Sequence, residues 1–172
     1  METREQILSR DFSNAFVSYF KEEETFIEKM KNSIEMSHYK YGWMSKTYPE
    51  LAQGINCLKQ RFELYEKTHN TELMIDVANF AMIEYLYPTY IPDTLKLELN
   101  KNFISNVYAI QFCIDKYELI PNPVYLISIA KYAAKEFNHP TYEDAKYEPS
   151  DSSKSPGLAD GISYKELMEN NQ

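Results

Sequence analysis

Sliding this 172-residue chain by 52 positions aligns residues 55–90 with residues 107–142 without a gap, and ten of those 36 positions are identical. Two amphipathic helix-turn-helix segments agree at apolar positions simply because both follow one period. Period does not account for Tyr65 and Tyr117, Glu66 and Glu118, Asn70 and Asn122, or Glu84 and Glu136. Nor does it account for the Pro-Thr-Tyr that closes the copies at Tyr90 and Tyr142. Elsewhere residue type is kept, as in Leu58 and Ile110, Phe62 and Ile114, or Phe80 and Tyr132. The expectation is an internal duplication: two helical hairpins, related by an approximate twofold axis, that bury each other's apolar stripes.

Apolar residues at three- and four-residue steps predict helices over 11–39, with a weak point near 22–24, and over 49–67, 71–87, 93–119 and 123–138. Asp11 or Ser13 suits the first N-cap and Pro49 a first turn. Short turns force antiparallel neighbours, and the 4 glycines are too few for an all-β chain or a Gly-rich phosphate loop. The fold class is therefore all-α: a helical bundle over 1–142, followed over 143–172 by a mostly flexible polar tail rich in Ser, Pro, Gly and Asp. Within that tail ISYKELM offers Ile162, Tyr164, Leu167 and Met168 for docking back on the core.

No apolar run approaches the ~20 residues of a membrane helix, and the charged N-terminus lacks a signal-like core, so a cytoplasmic protein without a membrane partner is expected. A formal net charge of −8 disfavours nonspecific nucleic-acid binding. The acids alternate with lysines, as on a solvated surface rather than a DNA mimic. Cys57 and Cys113 lie in apolar helical patterns and read as buried free thiols.

The helix over 71–87 is apolar nearly all round, which places it centrally. Its polar exceptions are Glu72, Asp76 and Asn79, four and three residues apart and so on one stripe. A buried carboxylate acquires a partner, a metal or a proton. Two readings follow: a functional site, or a structural role in which the stripe is simply the solvent edge or Asp76 pairs with a cation of the neighbouring helix such as Lys59 or Arg61. In the second copy the stripe reads Val124, Ser128 and Lys131, so whatever the acids do, one copy does alone.

The KYGW segment at residues 40–43, the Lys59-x-Arg61-x-Glu63 helix and NTELMIDVANFAMIE at residues 70–84 resemble a known family over roughly residues 26–90. They are similar to the all-α nucleoside triphosphate pyrophosphohydrolases related to MazG and dimeric dUTPase, in particular their phage-encoded branch. The resemblance implies a helical bundle that holds Mg²⁺ on carboxylates and cleaves a nucleotide between its α- and β-phosphates. It also implies that one half of a tandem duplication keeps the site. Carried onto this chain, the metal ligands are Glu50, Glu72 and Asp76, and the residues meeting the nucleotide are Asn79, Lys59, Arg61, Tyr41 and His38. The family pairs Glu-x-x-Glu with Glu-x-x-Asp. Here Glu63-x-x-Glu66 falls at a helix end, and Glu72-x-x-x-Asp76 is one residue longer.

Read as residues alone, Tyr39, Tyr41 and Trp43 stack on a base or form a core lid, and Lys46, Lys59 and Arg61 meet phosphates or stay solvated. The leading expectation is a Mg²⁺-dependent nucleotide pyrophosphohydrolase acting on or binding a nucleoside phosphate. The alternatives are a non-catalytic binder of a nucleotide or nucleotide-derived signal, and a helical protein-interaction module of counter-defence type. A protein partner or a homo-oligomer accords with the last.

Overall fold

The computed structural model describes residues 1–95, 97 and 102–149. Among them the regular structure is helical: α1 Arg4–Asp11, α2 Asn14–Val17, α3 Glu24–Tyr41, α4 Gly54–Thr68, α5 Leu73–Leu86, α6 Asn106–Leu119 and α7 Pro123–Asn138. Single 3₁₀ turns occupy Ser18–Phe20 and Met44–Lys46.

Shifted by 52 residues, α4 falls on α6 and α5 on α7 to within two residues at each end. Each α4–α5 and α6–α7 pair forms an antiparallel hairpin, and the hairpins meet through α5 against α7. The meeting is reciprocal. The Tyr65 hydroxyl donates to Glu136 at 2.6 Å, and the Tyr117 hydroxyl donates to Glu84 at 2.5 Å. Tyr142 packs on Tyr65 with centroids 5.8 Å apart, and Tyr90 on Tyr117 at 6.0 Å. A contact in which residue i of one unit meets j of the other, and j meets i, is the mark of twofold symmetry.

The repeated Pro-Thr-Tyr now has a physical role. Thr89 donates to Glu84 through its backbone N–H at 2.7 Å and its hydroxyl at 2.7 Å. Thr141 does the same to Glu136 at 2.7 and 2.6 Å. Both carboxylates are fully buried, and such a group is tolerable only when donors surround it. The repeated turn asparagines make the same local bond: Asn122 Oδ1 accepts from the Val124 N–H as the N-cap of α7, and Asn70 Oδ1 accepts from the Glu72 N–H in the turn before α5.

The remaining helices break the symmetry. α3 lies across α5 and α1 lies on α3, held there by Arg4, which reaches Glu28 at 2.6 Å and Glu35 at 2.8 Å. Under α3, every residue from Leu73 to Glu84 is buried, as the apolar surface of α5 predicts.

Four expectations need correction. The helix expected over 11–39 is interrupted at residues 12–13, because Ser13 caps α2, and a separate α1 precedes it, started by a Thr3–Gln6 capping box. The helix expected from Pro49 begins only at Gly54; residues 47–51 form turns that include a cis Tyr48–Pro49 bond. The helix expected over 93–119 begins at Asn106, capped by Ser105, and residues 93–95 instead run beside the α6–α7 turn, where the Asp93 N–H donates to the Pro121 carbonyl at 3.0 Å. Residues 143–149, expected to belong to the flexible tail, are held against the bundle. Asp144 pairs with His69, Lys146 bridges to Asn70, and the Tyr147 ring packs on Phe137 at 5.6 Å. The rest of that tail, with ISYKELM, lies outside the described residues.

Candidate functional site

Two cross-hairpin contacts fix how α4 faces α5. Gly54 abuts Glu84 at one end, where an added Cβ would sit 2.8 Å from the Glu84 nitrogen. Midway along α4, Arg61 faces Asp76 in the first turn of α5, with Nε 3.6 Å from the carboxylate. Both members of this ion pair are buried, at 1% and 6% exposure. One turn on, the Asn79 amide donates to the Met30 carbonyl of α3 at 3.2 Å, and its Oδ1 is buried without a hydrogen bond. Asp76 and Asn79 of the stripe read from the sequence thus point inward, while Glu72 at its start is half-buried.

Of the predicted site residues, Arg61 faces Asp76, and Asn79 follows Asp76 one turn later on α5. Glu72 is half-buried just ahead of α5, placed by its N–H bond to Asn70. Glu50 is exposed and precedes Gly54, at the Glu84 end of α5; Asp76 lies eight residues, about 12 Å, toward the other end. Lys59 turns to the opposite hairpin and pairs with Glu118 at 2.8 Å. His38 and Tyr41 sit in the last turn of α3, about two and three turns beyond Met30. His38 packs on Trp43 at 4.2 Å, and the Arg10 guanidinium covers the same indole at 4.7 Å, so these aromatics close the end of the bundle. Tyr41 is half-buried beside its neighbour Lys40, whose ammonium is 5.4 Å from the ring centre.

A Mg²⁺ ion takes near-octahedral oxygen ligands, usually carboxylates with waters and phosphates. Among the described residues no three His, Cys, Asp or Glu side chains converge as a metal would require. The Asp76 carboxylate already faces a cation, so the ligand set carried over from the family does not assemble in this arrangement.

The repeat supplies a signal that sequence reading overlooked. Arg61 aligns with Cys113 and Asp76 with Ser128, so both charges vanish together in the second copy. Joint loss is what an ion pair requires, since either charge left buried alone is costly. Cys113 takes the guanidinium's place in the core, and burial pushes its thiol up to about 12.

A second buried acid also went unread. Asp11 is 2% exposed at the end of α1 and accepts from the Met44 N–H at 3.4 Å. Burial raises its pKa against the opposing pull of that N–H, His38 and Arg10.

No protein-family model, curated protein or solved structure matches this chain. Among the described residues no helix is long and apolar enough to cross a membrane.

Proposed function

We propose that this protein is a non-catalytic helical interaction module whose working surface is the α6–α7 turn end of the second hairpin. The observation that carries this reading is the divergence of two equivalent ends of the bundle. The first hairpin's turn presents Lys67 and Thr68, with Glu143 nearby; the aligned residues in the second are Leu119, Ile120 and Ile91. Leu119 is 75% exposed and Ile91 91%. Leu95, 70% exposed, joins them, because its carbonyl accepts from the Asn122 amide at the same turn. Large apolar side chains gathered on one exposed end, where the sister end is polar, suit a partner with its own apolar surface. Interfaces of this kind gain from apolar area removed from water, and a cluster of three or four such chains is enough to anchor one.

A nucleotide pyrophosphohydrolase or nucleotide binder remains the second reading, favoured by the buried, unbonded Asn79 Oδ1 and by Glu72 one turn before Asp76. It requires Arg61 to leave Asp76. The test is pyrophosphate release from a nucleotide panel with and without Mg²⁺, together with melting temperatures under the same panel. A ligand that binds only the native state raises its stability, so an interaction module shows neither release nor shift. Mg²⁺-dependent release overturns the module reading, and a shift without release favours the binder.

A further inference from the structure

We infer that the half-exposed apolar face between α6 and α7 is a docking surface for the chain's own segment 162–168. This is independent of the function proposed above, which uses the other end of the second hairpin.

The pseudo-twofold identifies what is uncovered. α3 lies on α5 and buries Ile75, Asp76 and Asn79, whereas the aligned Ile127, Ser128 and Lys131 of α7 are only half-buried. Beside them Phe103 stands as a wedge, 5.2 Å from Phe112 and 5.5 Å from Tyr132 between ring centres. Phe103 borders a mainly apolar groove of about 420 Å³ with Tyr108 and Phe112, and a more polar one of about 460 Å³ with Ser105, Asn106 and Tyr132. Tyr108, on the rim, is 53% exposed. In the first hairpin the positions aligned with Tyr108 and Phe112 are Asn56 and Gln60, so the aromatic face belongs to the second copy alone.

Three features select the occupant. The first is reach. The chain passes Tyr147 against Phe137, which is five residues, about 8 Å along α7, from Tyr132. Residues 150–161 then span up to about 40 Å when extended, against a radius of gyration of about 15 Å for a domain of this length. The second is pattern: Tyr164, Leu167 and Met168 recur at three- and four-residue steps, the spacing of one helical stripe. The third is charge. Lys116 lies 5.5 Å over the Phe112 ring and Lys135 5.0 Å over Tyr132, so cations rim the face. Residues 150–172 carry Asp151, Asp160, Glu166 and Glu169 against Lys154 and Lys165. A tethered segment also competes at an effective concentration in the millimolar range, while a second copy brings a chain of net charge −8 against another of the same sign.

Hydrogen exchange of the full chain tests this, measured at several protein concentrations and in Leu167→Asp and Tyr108→Asp. The expected result is protection of the amides of residues 163–169 by about tenfold or more over an unstructured chain, independent of concentration. Both variants should lose that protection while α5 amides keep theirs. Where Tyr108→Asp loosens the core, Lys135→Glu gives the same reading from an exposed position. Exchange at the unstructured rate overturns the proposal. So does protection that grows with concentration, which would mark a second copy, or protection that survives the variants.

Discussion

The Tyr117 hydroxyl donates to the Glu84 carboxylate at 2.5 Å, and this bond ties the second hairpin to the buried acid of the first. Glu84 also accepts from the Ile55 N–H at 3.1 Å and twice from Thr89, four donors in all. Its counterpart Glu136 has three, two from Thr141 and one from Tyr65. Burial, reinforced by the carboxylate itself, pushes both tyrosine hydroxyls far up, so they remain donors wherever the protein is folded. Removing one donor from a buried charge costs about 1.5–3 kcal/mol. Tyr65→Phe leaves Glu136 two donors and Tyr117→Phe leaves Glu84 three, so Tyr65→Phe should be the more damaging. Urea denaturation of both variants checks the order, with melting temperatures falling by about 2–4 °C per kcal/mol.

Gly54→Ala should destabilise the first hairpin by about 1–3 kcal/mol. The added Cβ meets the Glu84 nitrogen at 2.8 Å and the Phe80 carbonyl oxygen at 3.0 Å, and backbone atoms inside a helix do not yield as a side-chain tip does. The aligned position on α6 is Asn106, so that hairpin is not built on the same close approach. Asn106→Ala should therefore be nearly neutral in the same thermal melt.

Much of this fold was legible because the repeat preserves polar residues that periodicity does not require. The repeated Tyr, Glu and Pro-Thr-Tyr turn out to be one hydrogen-bonded set, exchanged between hairpins. Helix starts were less legible. Pro49 suits a first turn, yet the chain turns again before Gly54, and the apolar spacing read as one helix from residue 93 yields a helix only from Asn106, while residues 93–95 run along a neighbouring turn. The placement of the acidic stripe was open for a related reason. A stripe on α5 is defined by helical geometry, but whether it faces solvent or α3 depends on a tertiary contact that spacing along α5 does not encode. The simultaneous change at 61 and 76 between the copies was the available clue.

Asp11 makes stability depend on pH in the sense opposite to a salt-bridged acid. Burial raises its pKa in the folded protein, so the folded state holds the proton more tightly than the unfolded chain. At pH values below the ordinary carboxylate range both states are protonated and no penalty exists. As the pH rises through the raised value, the buried charge must form and stability falls, then stays lower. Asp11→Asn keeps an acceptor for the Met44 N–H and removes the charge. It should stabilise the protein at pH 7 and have little effect near pH 3, as read from denaturant midpoints at the two pH values. An equal effect at both would point to packing instead.

Asp76→Asn separates the structural reading of the first copy from the site reading. If the carboxylate serves Arg61, its loss leaves a guanidinium at 1% exposure without its counter-charge. Breaking one side of a buried pair costs on the order of 3 kcal/mol or more. Stability should fall by that order while nucleotide response is unchanged. If the carboxylate serves a ligand, stability should hold or rise and nucleotide response should disappear. A double-mutant cycle sharpens the choice, because the second copy already lives with Cys113 and Ser128 at these positions. Arg61→Cys and Asp76→Ser, written together, should cost clearly less than the sum of the two single changes, since neither charge is then stranded. Simple additivity of the two changes in urea unfolding, with Asp76→Asn abolishing Mg²⁺-dependent pyrophosphate release, would sink the ion-pair account and return Asp76 to the chemistry of a nucleotide.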